Sequence, residues 1–302
     1  MIKASVAIAS IGRETLIDTL TSIAKVTRPA GVELDVLIAD DSRDGAATKL
    51  VASHPVKGLD ITCLSVASGN ISTARNALLD AATGDWLIFV DDDEWVETDW
   101  LERLFACQAD FQADVVIGPV HPDYPEDTPA WLRAANPLFM NWGHRGKRIY
   151  TGRGGNTLVN MALIRALELR FDEAYGRTGG EDTIFFGQAA ERGARIFVTD
   201  DAIAREHVPA ERLTQSYILS RAVRSGQSYG QMRLARHPDP LWHIVFALAA
   251  FAKCLAAGLM AIALRLVDRP RAFRMRQKYS QNRGKLRAVF SLPLAELYKA
   301  PE

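Results

Sequence analysis

Trp86-Leu87-Ile88-Phe89-Val90-Asp91-Asp92-Asp93-Glu94 is the stretch whose reading decides the fold. Five apolar residues run directly into four carboxylates. An apolar run of that length fits a central strand of a parallel sheet, covered on both faces. Four adjacent acids cannot extend such a strand, because neighbouring ionised carboxylates repel unless positive charge lies between them. The pattern predicts a strand that ends at a site for a divalent cation. In open α/β sheets ligands bind at the carboxyl ends of strands. Magnesium and manganese take carboxylate oxygens together with substrate phosphates. A solvated acidic turn is the alternative.

Working outward, the same pattern recurs. Residues 4–10 read as a first strand, and Leu16, Leu20 and Ile23 share a stripe that makes 14–26 a helix packed on the sheet. Val36-Leu37-Ile38-Ala39 is a second buried strand that also ends in acid, Asp40-Asp41-Ser42, before the turn residues Arg43-Asp44-Gly45. Residues 60–66 form a third strand. Ser72 is placed to cap a helix that runs to Ala82 and stops at Gly84. Strand and helix alternate, which predicts a parallel sheet with right-handed crossovers. The first strand leads into Ala9-Ser10-Ile11-Gly12-Arg13, not a Gly-x-Gly-x-x-Gly turn, and no Walker-type Gly-Lys-Ser/Thr occurs. Metal and arginine are therefore the expected neutralisers of any phosphate.

Beyond the acidic run, Trp100, Leu101, Leu104 and Phe105 mark an amphipathic helix, and Val115-Val116-Ile117 a strand. Residues 121–152 read as a long irregular segment with Pro122, Pro125, Pro129 and Pro137. Long loops inside a domain are usually functional. Trp131 and Trp142 in this segment either pack on a sugar ring or build the loop's own small core. Gly154-Gly155-Asn156 follows, where glycines let the backbone approach a ligand or merely start a strand with a bulge. Gly179-Gly180-Glu181-Asp182 opens a helix that stops at Gly193. Acids there are a common capping pattern. A helix N-terminus lowers a carboxylate's pKa, and a like charge such as Glu181 raises it again. Residues 195–199 look like a closing strand. His207, just past it, either folds back toward the metal or is an ordinary surface side chain.

The chain has 302 residues and is 48% apolar, enough for one large domain or two smaller ones. Cys63, Cys107 and Cys254 are too few and too scattered for a disulfide framework or a zinc site, which fits a reducing compartment. The N-terminus begins with a strand-like run, which argues against a signal peptide. The net charge of zero hides an asymmetry: residues 211–302 hold 16 Lys/Arg against 5 Asp/Glu. Residues 244–264 carry a single charge, Lys253, and residues 265–287 carry nine Lys/Arg against one Asp. The apolar run is long enough to span a bilayer, but a central lysine is costly there. It reads instead as a helix lying on an anionic leaflet, with a plain helical hairpin as the alternative. The basic run lacks interleaved aromatics for base stacking, so nucleic acid is not the expected partner.

Four segments in order carry a resemblance: the strand ending in Asp40-Asp41-Ser42, then Ile71-Ser72-Thr73-Ala74-Arg75-Asn76, then Phe89 to Glu94, then Gly179-Gly180-Glu181-Asp182. Together they resemble the family 2 glycosyltransferases of the GT-A fold, and more narrowly bacterial exopolysaccharide enzymes of the succinoglycan glucosyltransferase type. The likeness covers residues 4–212 and extends weakly to Arg283-Gly284-Lys285-Leu286. It implies an α/β, Rossmann-like fold: a mostly parallel mixed sheet flanked by helices, with a C-terminal helical membrane-associating extension. The implied division is a catalytic domain over 1–210, with a nucleotide-binding half (1–100) and an acceptor half (101–210), and a basic membrane-associated region over 211–302. By resemblance, Asp41 or Asp40 accepts from the uracil of a UDP-sugar and Arg75 faces the nucleotide. Asp91 holds the ribose, Asp92 is counted with the nucleotide-binding residues, and Asp93 holds Mn2+ or Mg2+, with Asp91 and, from its place in the chain, His207 as further expected ligands. Asp182 is the catalytic base with Glu181 beside it, and Gly154, Gly155, Asn156, Trp131 and Trp142 line the substrate side.

The implied reaction is inverting transfer of one sugar to a lipid-linked oligosaccharide, by a cytoplasmic protein held peripherally on the inner face of the cell membrane. Two departures stand out. The turn after the first strand is Ser10-Ile11-Gly12-Arg13, and the Gln-x-x-Arg-Trp motif of processive members is absent, although Gln215 and Arg221 lie in that region. The second departure favours single-sugar addition. The competing readings are a sugar nucleotidyltransferase, which lacks its glycine-rich phosphate loop here, an inactive membrane-surface protein of the same fold, and a glycoside hydrolase with two carboxylates and no nucleotide.

Overall fold

The computed structural model describes residues 1–295. From the N-terminus, β1 (Ile2–Ser10), α1 (Thr15–Ile23), β2 (Val32–Asp40), α2 (Ala46–Ser53), β3 (Ile61–Ser65), α3 (Ile71–Ala81) and β4 (Trp86–Phe89) alternate as the hydrophobic pattern predicts. After them come β5 (Glu94–Val96), α4 (Trp100–Phe111), β6 (Val115–Ile117), β7 (Val120–Asp123), α5 (Ala130–Ala135), β8 (Arg148–Ile149), β9 (Thr157–Asn160) and α6 (Met161–Ala166). The remainder is α7 (Glu181–Glu191), β10 (Ile196–Val198), β11 (Ala204–His207), and the long helices α8 (Gln215–Arg236), α9 (Pro240–Leu264) and α10 (Arg269–Val289).

The larger sheet has eight strands in the order β3-β2-β1-β4-β9-β6-β10-β8. Its first four strands are mutually parallel. β9 then runs antiparallel to both β4 and β6, so the sheet is mixed. Side chains of alternate residues enter opposite faces, as strand geometry requires. Val6, Ile8, Val36, Ile38 and Ile88 join the cluster that includes Leu16, Leu20 and Trp100. Ala7, Leu37, Leu87 and Phe89 join the cluster of Leu78, Phe171, Phe185 and Phe186 on the other face. A second, three-stranded sheet, β5-β11-β7, follows the acidic run.

The chain divides into two compact units. The first comprises residues 1–123, 140–177 and 185–207; the second comprises 124–139, 178–184 and the chain from Val208 on. A single cut near residue 210 therefore does not describe the packing. The physical reason is a small hydrophobic cluster in which Leu132 and Ala135 of α5 pack with Ile218 of α8 and Phe273 of α10. The long segment at 121–152 is accordingly not structureless: it contributes β7, α5 and β8. The expected cap of α3 also changes. Asn70, not Ser72, accepts hydrogen bonds from the amides of Ser72 and Thr73.

In the second unit α8 and α10 pack closely. A Cβ on Gly226 would run into the Gln281 carbonyl, and one on Gly284 into the Val223 carbonyl, so these glycines permit the backbones to meet. α9 offers its neighbours only a stripe of small residues, Ala250, Cys254 and Ala257. Leu248, Phe251, Leu255 and Leu259 on the same helix are exposed. The three cysteines are free thiols.

Candidate active site

The chain leaves β4 at Phe89 and closes a turn in which the Glu94 amide donates to the Asp91 carbonyl at 3.1 Å. Four carboxylates crowd this turn, and each is met by an arginine from another element. Arg13 Nη1 lies 2.8 Å from Asp92 Oδ1 and 3.2 Å from Asp93 Oδ2. Ser10 Oγ donates to Asp92 Oδ2 at 2.7 Å. Arg75 Nη2, from α3, lies 3.2 Å from Asp91 Oδ1. Arg153 Nη2 lies 2.9 Å from Glu94 Oε1 and 3.9 Å from Asp91 Oδ2. Positive charge thus sits between the acids, as their repulsion demands. Glu94 is fully buried, and burial together with the Asp91 charge pushes its carboxyl well above the ordinary range, against the pull of Arg153. Burial raises Asp92 as well, opposed by Arg13 and the Ser10 hydroxyl.

The glycine pair after Arg153 approaches these side chains closely. A Cβ on Gly154 would collide with the Arg75 guanidinium, and one on Gly155 would collide with Glu94 and lie 2.9 Å from Asp91 Oδ2. The close approach expected there is made to the protein's own arginine and acids. Asn156 is corrected from substrate contact to internal clamp. It is fully buried. Its Nδ2 donates to the carbonyls of Pro119 (2.7 Å) and Ala202 (2.8 Å), while its Oδ1 accepts from Trp100 Nε1 at 2.7 Å. That uses both amide protons and a carbonyl lone pair.

At the end of β2 the two aspartates differ. Asp40 is 1% exposed and is spent on local structure: Ser42 Oγ donates to Oδ1, and the Thr48 amide and hydroxyl donate to Oδ2 at 2.8 and 2.7 Å. Burial opposes its charge, but these hydrogen bonds win and hold its carboxyl below the usual range. Asp40 is therefore corrected to a loop anchor. Asp41 gathers the amides of Ser68, Gly69 and Asn70. It thereby fixes the loop that launches α3 and Arg75.

The His207 ring lies on Trp95, with centroids 4.2 Å apart, and its Nε2 is 3.8 Å from Asp18 Oδ2. Its backbone amide, not its imidazole, meets Asp93, donating to the carbonyl at 3.0 Å. Among the described residues no three His, Cys, Asp or Glu side chains converge as a metal cluster. Of the expected set of Asp91, Asp93 and His207, the two aspartates share the turn after β4, while the His207 imidazole lies on Trp95. What is present, two neighbouring carboxylates already attracting cationic partners, fits magnesium or manganese held by one or two carboxylates and completed by a substrate's phosphates. It does not fit a cage made of protein ligands alone. Trp142, like Ile149, is partly buried against the core cluster that includes Phe186 and Ile196.

In the second unit, Gly179 and Gly180 adopt φ of 81° and 93°, a left-handed pair just before α7. The buried Arg224 of α8 holds this loop. Its Nε donates to the Thr178 carbonyl at 2.8 Å and its Nη2 to Thr178 Oγ1 at 3.0 Å, with a further bond to the Gly179 carbonyl. A Cβ on Gly180 would occupy the place of Ser228 Oγ. Glu181 and Asp182 therefore leave from a braced loop. Asp182 Oδ1 accepts from the Thr183 amide at 2.6 Å. Trp131 is corrected to a packing residue: the Arg269 guanidinium covers its ring at 4.1 Å and Phe273 meets it edge-on.

The sequence reading gave no individual role to Arg13, Ser10, Glu94, Arg153 or Arg224. The departure at Ser10-Ile11-Gly12-Arg13 was the available signal for the first two. Arg153 stood beside the glycine pair, but nothing local in α8 marks Arg224.

Comparison with known proteins agrees with this architecture. The family model described as "Glycosyl transferase family 2" matches residues 5–168. The chain is 34% identical over 261 residues to the succinoglycan biosynthesis protein ExoM of Rhizobium meliloti (strain 1021), covering 84% of each chain. It is 29% identical over 228 residues to the poly(ribitol-phosphate) beta-N-acetylglucosaminyltransferase TarS of Staphylococcus aureus (strain Mu50), spanning 38% of that longer protein. Among solved structures, the mannosyltransferase PcManGT from Pyrobaculum calidifontis, in complex with GDP-Man and Mn2+, superposes with a TM-score of 0.63 at 20% identity, covering 95% of this chain and 87% of that one. S. aureus TarS 1-349 in complex with UDP-GlcNAc gives 0.55 at 18% identity, covering 94% and 90%. At such identities the structural likeness establishes the fold, which is of the GT-A type.

Proposed function

The chain belongs to glycosyl transferase family 2, and from that premise we propose that it moves one sugar from a UDP-sugar to a lipid-linked oligosaccharide in exopolysaccharide synthesis, inverting the anomeric carbon. The observation that carries the reading is the run of acids at the carboxyl end of central β4, each braced by an arginine from a different element. The support for a UDP donor is the UDP-GlcNAc bound in the TarS structure. The support for an exopolysaccharide product is the relative named for succinoglycan biosynthesis.

In this reading Asp41 accepts a hydrogen bond from the uracil, Arg75 faces the diphosphate, and Asp91 positions the ribose. Asp93, with Asp91 beside it, holds a divalent cation against the donor's phosphates. When bound, that cation neutralises charge building on the departing UDP. Asp182 accepts the proton of the acceptor hydroxyl as its oxygen attacks the anomeric carbon from the face opposite UDP. The new carbon–oxygen bond forms as the bond to the UDP oxygen breaks, and UDP leaves with the electron pair. Arg224 is a positioning residue that fixes the loop from which Asp182 departs.

The second unit supports a membrane-surface location on the cytoplasmic leaflet. α9 is the one described helix long and apolar enough to cross a bilayer, and only 17% of its most apolar window is buried. We read it as lying along the leaflet, because Lys253 sits at its middle. A panel of nucleotide sugars, each incubated with manganese or magnesium and scored for nucleotide release, tests the donor assignment. UDP-sugar turnover abolished by chelation is expected. Turnover confined to GDP- or dTDP-sugars would overturn it.

A further inference from the structure

The second unit contains a cavity of about 200 Å³ between α8, α9 and α10. Its wall includes Tyr229 and Arg233 from α8, Phe246 and Lys253 from α9, and Asn282 and Lys285 from α10. Three cations line it and, among the described residues, no carboxylate does. Among the described residues none of the three has an ion-pair partner. Arg233 leans over the Trp242 ring at 5.3 Å, and its Nε is buried without a hydrogen-bond partner among the described residues. Lys285 Nζ donates to Asn282 Oδ1 at 3.1 Å and lies 5.2 Å from the Tyr229 ring centre. Burial, reinforced by the Lys253 charge, pushes the Lys285 ammonium below the ordinary lysine range. Arg233 and Lys285 are half-buried and Lys253 is exposed, and like charges brought together in this way favour an anion that joins them.

Size and setting narrow the anion. The cavity is smaller than the ~300–1,000 Å³ typical of sites that enclose a whole small molecule, so it suits a headgroup and not a sugar nucleotide. One wall is α9, whose outer face exposes Ile244, Val245, Leu248, Phe251 and Leu255. An apolar helix beside a cationic hollow matches a ligand that is charged at one end and apolar at the other. We propose that this cavity binds the phosphate or diphosphate headgroup of a membrane lipid, with Arg233, Lys253 and Lys285 as its ligands. The proposal rests on the membrane-surface reading above and adds a discrete site to it. Bulk charge would only attract the protein to an anionic surface. A built site prefers a phosphate monoester, which presents more charge and more acceptor oxygens than a diester.

The test is sedimentation of the full chain with vesicles of phosphatidylcholine alone, or with phosphatidic acid or phosphatidylglycerol added to equal surface charge. The wild-type protein is expected to bind the phosphatidic acid vesicles about tenfold more tightly than the phosphatidylglycerol ones. Arg233→Gln/Lys253→Gln, two changes that leave the half-buried Lys285 in place, should erase that preference. Arg265→Gln/Arg271→Gln, the same charge loss outside the cavity, should keep it. Circular dichroism confirms that each variant is folded. Equal loss in both pairs, or no loss in the first, overturns the site while leaving the membrane reading intact. Leu255→Asp/Leu259→Asp on the exposed face of α9 should weaken binding to every vesicle. If wild type binds none of them, the membrane reading fails and the inference falls with it. Wild-type binding of inorganic pyrophosphate, lost in Arg233→Gln/Lys253→Gln but without any vesicle preference, would reassign the cavity to a soluble anion and overturn the lipid source.

Discussion

The acidic turn after β4 and the basic cavity between α8, α9 and α10 treat charge in opposite ways. In the turn, Asp91, Asp92, Asp93 and Glu94 are all met by Arg75, Arg13 or Arg153 at close range. In the cavity, Arg233, Lys253 and Lys285 stand together without a carboxylate among the described residues. The difference teaches where each region keeps its binding energy. A turn whose charges are already compensated is pre-organised, and a ligand arriving there exchanges one set of ionic partners for another. A cavity that gathers cations gains from an added anion that joins them. The first suits a donor that comes and goes with each turnover. The second suits an anchor.

On the proposed reading, donor binding belongs to the first unit, and the base and the lipid anchor belong to the second. The largest expected effect separates them. Asp182→Asn should lower sugar transfer by about 10³-fold, in the range expected of a lost general base, while UDP-sugar affinity measured by calorimetry is unchanged. Retained transfer would break the division. Next in size is the bracing of the first unit itself. Asn156→Ala removes three buried hydrogen bonds and should cost roughly 3 kcal/mol in urea unfolding.

Asp40→Asn is expected to cost about 2 kcal/mol at neutral pH, since it replaces a charged acceptor facing four donors. Its pH dependence has a definite sign. Asp40 is held below its unfolded pKa in the folded chain, so the unfolded state binds more protons in the acid range. Its contribution is complete above the unfolded carboxylate pKa and disappears as pH falls through the folded value. Wild type should therefore approach the stability of Asp40→Asn in acid, and an equal gap at both ends of the titration would refute the anchor role. The smallest effect belongs to Arg13→Gln. Arg13 is nearly half exposed, so its pairing is worth about 1 kcal/mol or less and should weaken with salt. A salt-independent loss would mean that the acids are braced by something other than Arg13.

Much of the first unit was legible in the sequence. β2 and β4 are fully apolar through their inner stretches and then break into acid, and local composition alone marks both the strand and its end. Gly154 and Gly155 were visible as a place of close approach, although not what they approach, because the Arg75 side chain arrives there from α3. Asn156 looked like a ligand contact because a polar residue among glycines resembles a binding loop. Only its partners, Trp100, Pro119 and Ala202, brought from three other segments, show that its amide is spent inside the fold.

By itself the sequence determined the alternating α/β order, the acidic ends of two strands, the apolar helix at 240–264 with a basic helix after it, and the family. These are properties of short windows, where hydrophobic periodicity and charge runs act over neighbouring residues. Tertiary structure alone decided which charges meet. Arg13 reaches Asp92 across β1 and β4, Arg224 reaches Thr178 from α8, and Arg233, Lys253 and Lys285 gather from three helices. Ion pairing falls off within a few ångströms, while the chain brings these residues together from dozens of positions apart, so no local pattern can carry that information.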